Sequence, residues 1–277
     1  MSEIKDVLIG TAIGDIAGSR FELNNCKTGK DFILLHDQYC RYTDDTVMIF
    51  AVAKALIKCN SDLTTLEKEA MDSMVEVGRN HINCGFGPSF YYWLKNEEHK
   101  PYGSYGNGAA MRISPVVVAF KDLSDIKKAS AYITNLSHNH EDSIMGAEAV
   151  CVSIYMAINN CSKDEIINYI KNNYFKLNEI NNKLKKQKDI NINCVETVKK
   201  SLIAFKNSIN FEDAIRNAIA LGGDSDTIGA ITGSIASLYY GIPEEIYNKA
   251  LNFLSDDLKN IHKEFEKYIK GSEIIYD

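Results

Sequence analysis

The sequence contains few residues that interrupt helices and no sign of a membrane or secreted protein. Only 4 of its 277 residues are proline, and no segment alternates polar and apolar residues as a strand does. Because proline breaks helix interiors, its scarcity is compatible with long helices. No apolar stretch is long and uncharged enough to span a bilayer, and the polar N-terminal segment does not resemble a secretory signal. These absences favour an all-α, cytoplasmic protein.

A basic excess and cysteine motifs are also missing. The formal net charge is −6, so no surplus of Lys and Arg is available to neutralise phosphates. This argues against general nucleic-acid or membrane-surface binding, but leaves room for a nucleotide-sized ligand. The seven cysteines are scattered, with no Cys-x-x-Cys pair. Reduced thiols are therefore expected, rather than a zinc cluster or a disulfide framework.

Helical periodicity covers most of the chain. The pattern predicts a first helix that begins at Val7 and breaks near Gly18, and a short helix beginning at Gly87-Pro88. Longer helices are predicted over residues 45–58, 63–79, 123–136, 142–158, 163–174, 195–205, 211–221, 228–240, 243–254 and 256–269. The segment Leu177–Asn193 is rich in Asn and Lys, which is typical of a solvated loop or a weak helix.

Two acidic motifs each precede an apolar helical run. Thr43–Thr46 leads into Val47–Leu56, and Gly222–Thr227 leads into Ile228–Tyr240. Either motif alone would serve as a helix N-cap, but a cap needs one oxygen and each motif supplies several. Their four carboxylates would repel one another unless cations lie between them. We therefore predict that the motifs meet at a divalent-metal site with two ions roughly 3.5–4 Å apart.

The two motifs flank Leu177–Asn193, so that segment is not a domain boundary if they meet. We accordingly expect one domain over residues 1–277. Small residues recur every fourth position after the second motif, at Gly229, Gly233 and Ser237. Such a stripe predicts that another backbone packs closely against this helix.

Three further features have both a structural and a functional interpretation. The glycine-rich segment Tyr102–Arg112 is either a tight loop before a helix at Ala109 or a phosphate-binding loop with tyrosines that stack on a base. His138 is either a substrate contact or a structural histidine. Glu22 follows a glycine-punctuated turn, so it is either a surface acid or a carboxylate that reaches into a site.

These motifs, in this order, resemble the ADP-ribosylglycohydrolase family, which includes dinitrogenase-reductase-activating glycohydrolase and the ADP-ribosyl-acceptor hydrolases. The resemblance runs from the first helix to about Pro243. The matching pieces are Gly14-Asp15 with Phe21-Glu22, Thr43-Asp44-Asp45-Thr46, Gly106-Asn107-Gly108-Ala109-Ala110-Met111-Arg112, Ser137-His138 with Gly146-Ala147, and Gly223-Asp224-Ser225-Asp226-Thr227.

The resemblance implies a compact orthogonal helical bundle with two Mg²⁺ or Mn²⁺ ions. The implied metal ligands are Thr43, Asp44, Asp45, Asp224, Asp226 and Thr227. The implied substrate contacts are Gly103, Ser104, Tyr105, Gly106, Asn107 and His138, where Ser137 stands in place of the family's Thr before the histidine. The residues implied for catalysis are Asp45, Asp226 and Glu22, and the sequence leaves open which of them takes the proton of the attacking water.

The implied activity is hydrolysis of the glycosidic bond between ADP-ribose and an acceptor, by a monomer. Arginine, serine, a nucleobase, a nucleic-acid terminus and O-acetyl-ADP-ribose all remain open as acceptors. One alternative is a non-catalytic ADP-ribose-binding or crystallin-like protein on the same fold, which would not need all four motif carboxylates. A two-metal pyrophosphohydrolase is a second alternative, and the helical pattern around both motifs argues against it.

Overall fold

The computed structural model describes residues 3–22, 28–177 and 192–271, and the regular secondary structure of these residues is almost entirely helical. The helices are α1 (Val7–Glu22), α2 (Asp44–Cys59), α3 (Leu63–Asn80), α4 (Pro88–Lys95), α5 (Pro115–Ala119), α6 (Leu123–Asn135), α7 (Glu141–Ile158), α8 (Lys163–Asn173), α9 (Cys194–Lys206), α10 (Phe211–Ala220), α11 (Ser225–Tyr240), α12 (Glu244–Leu251) and α13 (Asp256–Gly271). The strands β1 (Glu3–Ile4) and β2 (Ile242–Pro243) form one short antiparallel pair. The all-α prediction is confirmed. Most of the predicted loop Leu177–Asn193 lies outside the described residues.

The closest helix pair is α1 against α11, which run antiparallel. A Cβ added to Gly14 would lie 2.0 Å from the carbonyl oxygen of Gly229, and one added to Gly18 would lie 2.4 Å from that of Ser225. The two backbones approach this closely because glycines of α1 face glycine and serine residues of α11 along the contact. The close packing predicted for the stripe on α11 is confirmed, and α1 is its partner.

The predicted break of the first helix near Gly18 is wrong, because α1 continues to Glu22. Gly18 faces α11 instead of forming a turn, and the packing of α1 compensates for the low helix propensity of glycine. Glu22 is therefore the last residue of a helix and does not follow a flexible turn.

The helix predicted at Ala109 is also absent. Asn107–Ala109 form a single 3-10 turn, and the next helix, α5, begins only at Pro115. Glycine is a poor helix former, and the segment contains Gly103, Gly106 and Gly108. Proline is well suited to the first turn of a helix, which is the position of Pro115 in α5. The glycine-rich segment therefore stays a loop that leads into α5.

The core determines where the functional elements meet. α2 is buried along most of its length and packs against α1, α3 and α13. One cluster of buried apolar side chains extends from Val7 to Phe265, and the single domain over residues 1–277 stays a prediction. The cysteines of the described residues carry free thiols, as expected. In the described part of the chain, no helix is both long and apolar enough to cross a membrane.

Candidate metal centre and ligand cleft

Asp15 of α1 caps the N-terminus of α2 from a neighbouring helix. Its Oδ2 accepts hydrogen bonds from the backbone N–H groups of Thr43 (2.8 Å) and Thr46 (3.1 Å) and from Thr46 Oγ1 (2.5 Å). Its Oδ1 accepts one from Thr43 Oγ1 (2.8 Å). The first N–H groups of a helix have no partner within the helix, so this buried carboxylate satisfies donors that would otherwise be unpaired. Asp15 was not predicted as a site residue.

The carboxylates of the two acidic motifs meet beside this cap. Oxygen atoms of Asp15, Asp45 and Asp226 lie within 4.8 Å of one another, and so do oxygens of Glu22, Asp224 and Asp226. Asp226 belongs to both groups. The motifs also contact each other directly, because Thr227 Oγ1 donates a hydrogen bond of 3.2 Å to Asp45 Oδ2. The close packing of α1 on α11 brings both groups together at one end of these helices.

Burial and mutual repulsion both act on these acids. Burial, followed by repulsion from Asp15, raises the pKa of Asp45 well above its usual value. Burial, followed by repulsion from Asp224, does the same to the pKa of Asp226. For Asp44, burial and then Asp15 raise the pKa to about 7. The cluster therefore favours the binding of protons or cations.

The chemistry of this donor set fits divalent cations. Asp45 Oδ1 is buried and has no hydrogen-bond partner within the described residues. A buried carboxylate oxygen without a donor is costly, and native proteins rarely leave one in that state. A hard cation takes carboxylate oxygens as ligands and would satisfy it. The shared position of Asp226 fits two such ions.

Glu22 lies where the acid cluster meets the cleft. It is half-buried, and its carboxyl shares a hydrogen bond with Asp226. Burial, followed by repulsion from Asp224, raises its pKa. Glu22 is thus a partly accessible acid whose protonation is coupled to that of the buried ones.

A cleft of about 240 Å³ opens over the acid cluster. Two of the residues that line it, Arg112 and His138, are buried beneath the glycine-rich loop. The Arg112 guanidinium lies 4.5 Å from the centre of the Phe90 ring, and its Nε donates to the carbonyl of Gly108. Burial lowers the pKa of Arg112 to about 10, which leaves it a cation at neutral pH. Arg112 therefore balances part of the negative charge, a role that the sequence did not reveal.

His138 is buried at the same wall and is uncharged at neutral pH. Burial, followed by the positive charge of Arg112, lowers its pKa well below the usual value. Its Nδ1 lies 2.7 Å from Ser137 Oγ, and a Cβ added to Gly108 would lie 2.9 Å from its Nε2. Glycine at position 108 thus lets the loop backbone lie directly on the imidazole.

The glycine-rich loop has fewer open amides than predicted. The N–H of Gly103 donates to Asn139 Oδ1 (2.7 Å), that of Gly106 to Ser104 Oγ (3.1 Å) and that of Asn107 to the carbonyl of Ile192 (2.8 Å). Ser104, Gly106 and Asn107 still line the cleft. These hydrogen bonds fix the shape of the loop. A ligand in the cleft would therefore contact atoms of the loop other than these three N–H groups.

Two predicted contacts lie further out. Gly103 and Tyr105 are not among the residues that line the cleft. The Tyr105 ring is 52% exposed and packs edge-on against His140, with ring centres 5.9 Å apart. Its exposed face leaves room for a stacked base, so this role stays a prediction.

Comparison with known proteins places the chain in a family. Residues 1–273 match the ADP-ribosylglycohydrolase family. The chain is 25% identical to the ADP-ribosylarginine hydrolase Tri1 of Pseudomonas putida (strain GB-1), over 87% of this chain and 71% of that protein. It is 21% identical to the Homo sapiens ADP-ribosylhydrolase ARH3, over 96% and 94% of the two chains.

A solved structure described as an ADP-ribosylglycohydrolase-related protein complex shares the fold. Its TM-score is 0.70 at 20% identity, and the alignment covers 95% of this chain and 96% of that one. The family match spans nearly the whole chain and includes both acidic motifs and the glycine-rich loop. The chain therefore belongs to the ADP-ribosylglycohydrolase family.

Proposed function

We propose that this chain is a metal-dependent hydrolase that cleaves the glycosidic bond between ADP-ribose and an acceptor. As a family member it is a hydrolase of glycosyl bonds. The metal requirement rests on one observation above the others. Two acid groups share Asp226, and the buried Asp45 Oδ1 beside them has no hydrogen-bond partner within the described residues.

The ligands that we propose for two Mg²⁺ or Mn²⁺ ions are the first-turn groups of α2 and α11. They are Thr43, Asp44, Asp45, Asp224, Asp226 and Thr227. Both helices are held rigidly, α2 by the Asp15 cap and α11 by its packing on α1. Bound ions of this kind polarise an oxygen of the substrate and lower the pKa of a bound water.

For the base we propose Glu22, in preference to Asp45 and Asp226. All three line the cleft, but Glu22 is only half-buried, whereas Asp45 and Asp226 are buried. A carboxylate with a raised pKa is a better proton acceptor near neutral pH than an ordinary one. Glu22 would take a proton from the water that attacks the anomeric carbon in an oxocarbenium-like transition state, while the bond from that carbon to the acceptor breaks. The protonated Glu22 would then return this proton to the departing acceptor.

The remaining cleft residues would hold the ADP-ribose. We propose that the distal ribose lies at the acid cluster and the diphosphate lies along Ser104 and Gly106. The neutral His138 can exchange a hydrogen bond with the ligand without adding charge. The adenosine would extend toward the exposed ring of Tyr105.

A panel of ADP-ribosylated substrates tests the proposal and identifies the acceptor. Arginine-linked, serine-linked and nucleobase-linked ADP-ribose are each incubated with the protein and Mg²⁺ or Mn²⁺, and free ADP-ribose is quantified. We expect release from at least one of them, and none after chelation of the metal. Binding of ADP-ribose without turnover of any substrate would instead support the non-catalytic alternative.

Two variants assign the roles. Asp226→Asn should lose both metal affinity and activity, because Asp226 belongs to both acid groups. Glu22→Gln should still bind metal but lose activity by about 10²–10⁴-fold, the usual contribution of a general base. Full activity of Glu22→Gln at saturating metal would show that another residue is the base.

A further inference from the structure

Asn107 occupies the junction between the glycine-rich loop and the acid cluster. Its side-chain Nδ2 donates hydrogen bonds to Asp224 Oδ2 (2.6 Å) and to Thr197 Oγ1 (3.2 Å). Its backbone N–H donates to the carbonyl of Ile192 (2.8 Å) and its carbonyl accepts from Ala110 (2.8 Å). The residue is 7% exposed. It therefore connects the loop, α9 and Asp224, the residue immediately before α11.

The orientation of this amide is fixed by its partners. The Nδ2 of Asn107 faces both Asp224 Oδ2 and Thr197 Oγ1, so the carbonyl oxygen of the amide faces away from them. Both amide hydrogens are then used within the protein. Asn107 thus has no side-chain donor left for a diphosphate or a ribose hydroxyl, although its resemblance to the family motif implies a substrate contact.

The contact matters because the Asp224 carboxylate faces two other acids. Asp224 forms no side-chain cap on α11, and its carboxylate faces those of Glu22 and Asp226. Repulsion from these two acids would favour a rotamer that turns Asp224 away. A short hydrogen bond from the buried, immobilised amide of Asn107 opposes that movement.

We propose that Asn107 is a positioning residue that holds the Asp224 carboxylate toward Asp226 for metal binding and does not contact ADP-ribose. This inference rests on the proposed metal centre. Hydrogen-bond partners behind a metal ligand typically change metal affinity by about 10–100-fold when removed. Asn107→Ala should therefore weaken Mn²⁺ binding by about that factor.

Titration calorimetry of the metal-free protein with Mn²⁺ measures the affinity for the metal. Titration with ADP-ribose in the presence of EDTA measures the affinity for the ligand without metal. For Asn107→Ala we expect weaker Mn²⁺ binding and unchanged ADP-ribose affinity. The matched control is Asn139→Ala, because Asn139 also holds the loop but touches only the N–H of Gly103. That variant should bind Mn²⁺ like the wild type.

The outcomes separate the two proposals. If the wild type binds Mn²⁺ no better than Asp226→Asn, the metal centre itself is wrong, and the role of Asn107 is wrong with it. If the wild type binds Mn²⁺ and Asn107→Ala binds it equally well, only the role of Asn107 is overturned. A loss of ADP-ribose affinity in EDTA would show that Asn107 contacts the ligand.

A second variant covers the case in which Asn107→Ala does not fold. Thr197→Val is nearly isosteric and removes only the other acceptor of the Asn107 amide. It should weaken Mn²⁺ binding in the same direction and by a smaller factor, with ADP-ribose affinity in EDTA unchanged. Wild-type Mn²⁺ affinity in this variant would contradict the inference.

Discussion

The four hydrogen bonds that Asp15 accepts predict how much stability the protein loses when this cap is removed. Replacement by Ala removes every acceptor at once and leaves the N–H groups of Thr43 and Thr46 buried without a partner. Each unsatisfied buried donor costs about 1–3 kcal/mol, so Asp15→Ala should lower the free energy of unfolding by about 2–6 kcal/mol. The two hydroxyls add less, because they can rotate toward other acceptors.

Replacement by Asn should cost much less. The amide carbonyl can take the place of Oδ2 and keep three of the four hydrogen bonds, while the NH₂ donates to Thr43 Oγ1 in place of Oδ1. Neutral hydrogen bonds are weaker than charge-assisted ones, but the loss of charge also removes repulsion on Asp45. Asp15→Asn should therefore stay within about 1–2 kcal/mol of the wild type.

Thermal unfolding of the metal-free variants measures the difference. For a chain of this size each kcal/mol shifts Tm by about 2–4 °C, so Asp15→Ala should unfold about 4–24 °C below the wild type. Asp62→Ala is the matched control, because Asp62 caps α3 at the surface through the N–H of Thr64. A cap of that kind contributes about 0.5–2 kcal/mol.

Two results would refute this reasoning. If Asp15→Ala were no less stable than Asp62→Ala, the buried N–H groups of α2 would have to find other partners. If Asp15→Asn were as unstable as Asp15→Ala, charge and not hydrogen-bond acceptance would explain the contribution of Asp15.

Three further predictions concern packing and pH. Gly14→Ala should destabilise the fold by about 1–3 kcal/mol or more in denaturant titrations, because its Cβ would strike the Gly229 carbonyl, whereas Gly87→Ala meets no atom within 4 Å and should be neutral. The pKa of Asp44 rises from 3.8 to about 7 on folding, so the metal-free protein should lose stability as pH rises through that window, and both Mg²⁺ and Asp44→Asn should flatten this dependence. Burial lowers the pKa of His262, but its contact with Asp6 at 2.6 Å raises that pKa by more. The stability that this pair contributes should therefore be present below pH 6.5 and lost at higher pH, whether or not Mg²⁺ is bound. Asp6→Asn should abolish this pH dependence.

Much of the helical framework could be predicted from the sequence, because most helices have a local start and an apolar face. α3 is an example, with Asp62 as its cap and Leu66, Ala70 and Met74 along its buried side. The end of α1 could not be predicted in this way. A glycine at position 18 destabilises an isolated helix. In the folded protein it allows the backbone of α11 to pack closely against α1, and this contact is not visible in the local sequence.

The candidate site shows the same division between local and tertiary information. Paired acids such as Asp44 and Asp45 can be recognised as site residues in the sequence, because they supply more oxygen atoms than a helix cap needs. The role of Asp15 could not be predicted, because a single acid inside an apolar helix carries no local sign that it caps another helix. The sequence also did not reveal that the N–H groups of Gly103 and Gly106 donate hydrogen bonds to other residues of the protein, because their acceptors are side chains positioned by the fold.

The central claim is that the two acidic motifs form one dinuclear metal centre, and a crystal structure of the protein with Mn²⁺ tests it most directly. Anomalous scattering at the manganese edge locates the ions without reference to any assumed ligand. We expect two peaks roughly 3.5–4 Å apart, with Asp226 between them. The absence of manganese there, or peaks only at the separate cluster of Asp6, His262 and Glu266, would contradict the account.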